Sequence, residues 1–106
     1  MAFSVRLRAR NEKTGETLWY EDPADWWNSD ELRDDPRFRK QENNPSYLDH
    51  VAVLTADTAL VLNQHYAKDP LPWMKPRAEA LTEKLRALVT IGGVVDVVVY
   101  EWESGM

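Results

Sequence analysis

Acid, base or nucleophilic chemistry in this 106-residue chain would have to come mainly from two histidines, four serines and eighteen carboxylates. His50 and His65 are the only imidazoles, so a general base must be one of them or a carboxylate. Asp49 and His50 are adjacent, and on a helix neighbouring side chains diverge by about 100°, which does not give an oriented dyad. Ser4, Ser29, Ser46 and Ser104 stand outside any G-x-S-x-G context, and Gly92-Gly93 follows a helical pattern where a phosphate cradle would open one. Surface or capping roles suit both histidines better than catalysis, and a small hydrolase built on His50 or His65 is a reserve reading.

Metal chemistry has as little support. The acids at 21, 22, 25, 30, 31, 34 and 35 lack the alternate spacing and central glycine of a calcium loop. Cysteine is absent, which removes disulfides, thiolate nucleophiles and cysteine-rich zinc sites. No cofactor and no metal is expected.

Binding chemistry is better represented. Residues 21–35 hold seven acidic side chains and one basic one, a net charge of −6 in a chain of −5, and in their midst stand Trp26 and Trp27. Concentrated acidity steers association with a basic surface, and tryptophan is enriched in binding hot spots. The expected partner-binding set is Trp26, Trp27, Asp22, Asp25, Asp30, Glu31, Asp34 and Asp35. The competing expectation is that one or both indoles pack into the core while the acids merely solubilise the loop. Trp73, between Pro72 and Met74, is a further loop aromatic that would widen the same surface.

Arg6, Arg8 and Arg10 share one face of a strand and could track phosphates. A nucleic-acid binder, however, normally carries a basic excess, and this chain has the opposite. If the last strand lies beside the first, Asp96, Tyr100 and Trp102 meet these arginines with an ion pair and cation–π contacts.

The elements that must position these groups follow from periodicity. Phe3, Val5, Leu7 and Ala9 alternate with polar residues as in a half-buried strand, and Thr14-Gly15 turns the chain into a second strand, giving a β-hairpin over 1–20. Residues 21–44 read as a long acidic loop with at most a helical turn at Ser29 to Leu32, and a loop of that length is expected to function or to hide a small element. One helix is expected over 47–67 with Ser46 as its N-cap. The rival is a strand over Val51 to Leu54 and a helix capped by Thr55, because Val51, Val53 and Thr55 are β-branched. A second helix over 76–91 shows an apolar stripe at Ala78, Leu81, Leu85, Leu88 and Ile91 and ends at Gly92-Gly93. Val94 to Trp102 is apolar on both faces, as in an interior strand.

One α+β domain is therefore expected: a small antiparallel or mixed sheet of the N-terminal hairpin plus the C-terminal strand, with two helices packed on one face. No apolar run reaches the roughly 20 residues of a membrane span and the N-terminus lacks a signal-peptide pattern, so the expected location is cytoplasmic. The leading functional expectation is a non-catalytic, acidic, immunity-type or phage-type inhibitor that occludes a basic partner protein such as a toxin or nuclease. The alternative is a structural or assembly module that self-associates through its terminal strand.

Overall fold

The computed structural model describes residues 2–44 and 47–102. Its elements in chain order are β1 (Ala2–Arg10), β2 (Thr17–Glu21), α1 (Ser29–Asp34), β3 (Arg39–Asn44), β4 (Tyr47–Thr55), α2 (Ala56–Tyr66), α3 (Lys75–Thr90) and β5 (Val94–Trp102). The strands form one antiparallel sheet in the order β2-β1-β5-β4-β3. As the sequence predicts, the hairpin and the C-terminal strand share a sheet, with helices packed on it. β5 is the central strand, consistent with its two apolar faces.

Alternation along the strands builds the core. Val5, Leu7 and Ala9 of β1, Val95, Val97 and Val99 of β5, and Ala52 and Leu54 of β4 are buried on one face. Against them lie Ala59 of α2 and the stripe Ala78, Leu81, Leu85 and Leu88 of α3. Each buried valine or leucine contributes about 1.5–3 kcal/mol of transfer free energy and each alanine less, so this interlayer is the main source of stability.

The expectation of one helix over 47–67 is corrected. Residues 47–55 are a strand and the helix begins at Ala56, with Thr55 as N-cap accepting from the Thr58 amide at 3.2 Å. The rival reading describes the chain better, because Ala52 and Leu54 bury on one side of a pleat while Val53 is 63% exposed on the other. The apparent helical spacing of Leu48, Val51, Ala52 and Thr55 was fortuitous. The expected Ser46 cap lies outside the described residues. The acidic loop is corrected too, since 21–44 contains both α1 and the edge strand β3.

Two glycines fix the end of α3. Gly92 adopts φ +69°, the left-handed conformation that an L side chain resists, and its amide donates to Val89 O at 3.1 Å while that of Gly93 reaches Leu88 O at 3.0 Å. A Cβ on Gly93 would stand 2.2 Å from Leu88 Cδ1. Ile91, expected on the buried stripe, is 60% exposed because the helix unwinds there.

Candidate functional site

The two tryptophans are core residues. Trp26 is 7% and Trp27 3% exposed, and both indole N–H groups donate to one oxygen, Asn63 Oδ1, at 2.6 and 2.9 Å. Asn63 is itself fully buried on α2, and its Nδ2 donates to Ala78 O at 3.1 Å and Thr82 Oγ1 at 3.0 Å on α3. One amide thus satisfies two indoles and ties the 21–35 segment to both long helices. Trp27 also packs on Tyr66, with ring centroids 5.6 Å apart. The expectation that Trp26 and Trp27 are displayed to a partner is corrected: a buried indole needs an acceptor for its N–H, and Asn63 supplies it where a solvent-facing loop could not. Sequence reasoning passed over Asn63, although it stands four residues after Ala59 on the buried face of α2.

Further contacts hold the segment down. Arg77 of α3 donates to Glu21 Oε2 at 2.8 Å and Pro23 O at 2.7 Å, lies 3.9 Å from Asp25, and stacks 5.4 Å from the Trp26 ring centroid. Asn28 caps α1 by accepting from the Asp30 and Glu31 amides, and Leu32 buries the helix against the core. Arg33 pairs with Asp30 and sits 3.7 Å from the centroid of Phe3 on β1.

The acids consequently divide. Asp35 is held by Arg37 at 2.7 Å, and that hydrogen bond keeps its carboxyl below the usual range. Asp22 accepts from the Tyr100 hydroxyl at 2.7 Å, on the side of the sheet away from the helices. Asp25, Asp30, Glu31 and Asp34 stand in solvent, with the Asp30 side chain 82% exposed. Glu31 and burial act together on Tyr66, whose phenol is pushed up to about 12, burial being the larger cause. Trp73, in the α2–α3 connection one turn before Arg77, is 70% exposed, the most exposed aromatic among the described residues.

The three arginines of β1 lie on the helix-free face, as do Asp96 and Tyr100, in the arrangement expected from pairing the first and last strands. Arg10 Nε donates to Asp96 at 2.7 Å, Arg8 reaches the same carboxylate at 3.4 Å, and Arg6 lies 5.7 Å from the Tyr100 ring centroid. Trp102 Nε1 donates to Ser4 Oγ at 2.8 Å. This face forms a cleft of about 930 Å³ with Arg39 of β3 and Val51 and Val53 of β4 on its far side.

The two histidines lie on different elements, His50 on β4 and His65 on α2. His50 points toward the helix side of β4 and Asp49 to the other, because successive residues of a strand alternate. Burial, with the charges of Arg33 and Lys40, holds the His50 imidazole below its ordinary value. His65 is exposed and lies edge-on to Tyr66, with centroids 5.0 Å apart. Among the described residues no hydrogen bond joins either histidine to a carboxylate, and no group of three or more His, Asp or Glu is placed to hold a metal. No helix among them is long and apolar enough to cross a membrane.

Fold and site together define a two-layer α+β domain with an anchored acidic surface on one side and a bare sheet face on the other. Comparison with known proteins finds no family model, no curated protein and no solved structure that matches the chain.

Proposed function

We propose that the protein is a non-catalytic binding module of the immunity or inhibitor type, which occludes a basic partner protein with the acidic surface built on and before α1. The observation that supports this reading is the division within residues 21–35: Trp26, Trp27 and Leu32 are sunk in the core, while Asp25, Asp30, Glu31 and Asp34 project into solvent. Acids on an anchored scaffold bind a basic surface without first ordering a loop, and their field raises the rate of encounter. The anchoring role expected of Trp26 and Trp27 passes in this reading to Trp73, an exposed indole four residues before Arg77 in the chain. Self-association through the terminal strand loses its sequence feature, because β5 is paired on both sides within its own chain.

The test is a triple variant, Asp30→Lys, Glu31→Lys and Asp34→Lys. Its Tm should stay within a few degrees of the parent, since exposed ion pairs contribute only about 0–1 kcal/mol each. From a native-host lysate the parent should retain a basic protein that the variant does not, and roughly 0.5 M NaCl should release it. Equal retention by both proteins would sink the reading.

A further inference from the structure

The cleft on the helix-free face carries a charge opposite to that of the molecule. Four arginines and two aspartates, Asp22 and Asp96, line it, a net of +2 in a chain of −5. Asp96 is engaged by Arg8 and Arg10, and Asp22 by the Tyr100 hydroxyl. Asp49 lies on the same face but is buried, 7% exposed, and Arg6 acts on it through charge alone. Among the described residues Arg6 and Arg39 make no ion pair; Arg6 lies over the Tyr100 ring and its charge acts on Asp49, while Arg39 stands exposed on the edge strand.

The sheet register places these two arginines at the ends of one lateral row. Arg6 pairs with Val98, Val98 with Val51, and Val51 with Arg39. Three interstrand steps separate Arg6 from Arg39, about 14 Å across the sheet, with an apolar floor of two valines between the cations. An extended peptide rises about 3.3 Å per residue and presents residues i, i+2 and i+4 on one face, so its i and i+4 side chains are about 13 Å apart.

We infer that this cleft is a binding site for an extended acidic segment of a protein, of the pattern acid-x-apolar-x-acid, laid across the strands with its carboxylates on Arg6 and Arg39 and its central side chain on Val51 and Val98. Guanidinium groups suit carboxylates because their fork matches the two oxygens. A nucleic-acid strand fits less well, since its closely spaced phosphates would meet Asp22 and Asp96, and the floor of this row is aliphatic where base stacking needs aromatic rings. The site is on the opposite side of the sheet from α1 and does not depend on what the acidic surface binds.

Fluorescence anisotropy with a labelled Gly-Glu-Ser-Val-Ser-Glu-Gly peptide tests the site directly. Competitors are the same peptide with Lys for Glu, a peptide with its two glutamates adjacent, and a single-stranded oligonucleotide of equal length. The spaced acidic peptide should bind best, and Arg6→Gln and Arg39→Gln should each weaken it roughly fivefold at unchanged Tm. Arg39 lies on the exposed edge strand, so at least that variant keeps its fold. Three results each overturn the proposal: no binding of the acidic peptide below about 1 mM, equal or tighter binding of a competitor, or affinity indifferent to both substitutions. Sedimentation of the protein alone is the last control: a dimer that dissolves in Arg39→Gln would assign the cleft to a second copy and overturn the peptide.

Discussion

Asn63 is the residue on which the 21–35 segment depends. Removing its amide leaves two indole donors buried without an acceptor, each costing about 1–3 kcal/mol. Asn63→Leu should therefore lower the Tm by on the order of 10–20 °C, measured by circular dichroism. Trp27→Phe, which removes one donor and keeps an aromatic ring, should cost less. His50 gives the same scale a pH dependence. Its folded pKa lies below the ordinary 6.5, with burial the first cause and Arg33 and Lys40 behind it, while Asp49 and Asp34 pull the other way. The unfolded chain thus takes up a proton that the folded chain resists, so this contribution to stability is full above the ordinary value and is lost as pH falls below it. His50→Gln should flatten the decline of Tm between about pH 7 and pH 5. An unchanged slope would show that His50 does not titrate in this way.

Among the elements, those with one strong signal were legible. β1 showed its alternation, α3 its stripe and terminal glycines, and β5 its double apolar face. The pairing of β5 with β1 was predictable as well, because Asp96 and Tyr100 are the complements that Arg8, Arg10 and Arg6 require. β4 was not, because Leu48, Val51, Ala52 and Thr55 happen to satisfy helical spacing while the β-branched residues spoke for a strand. β3 reads Arg-Lys-Gln-Glu-Asn-Asn and has no hydrophobic alternation, as suits an edge strand that must discourage further pairing. Its existence is dictated by β4, not by its own residues. The chemistry of the candidate site was half legible: the acids were identified, but the fate of the indoles depended on an acceptor 36 residues away on another element. β5 carries the element-scale prediction. A chain ending at Gly93 leaves β1 and β4 without their shared neighbour, and should show no cooperative thermal transition.

The whole molecule is polarised. One side of the sheet carries helices and displays Asp25, Asp30, Glu31 and Asp34; the other is a shallow cleft of excess positive charge. Net charge alone hides this, since −5 describes neither side. If both proposed contacts form, one small domain would hold a basic surface and an acidic segment at once, without competition between them. Salt should weaken both contacts, because both lie in solvent-screened positions.

The central place of β5 also has a consequence in time. Within the sheet the halves β2-β1 and β4-β3 are joined only through β5, which follows both of them in the chain. At typical synthesis rates Arg10 precedes Val94 by on the order of ten seconds. Throughout that interval β1 lacks the hydrogen-bonding neighbour that β5 supplies along its whole length, so the two halves become one sheet only after a long-range pairing of the kind that slows folding.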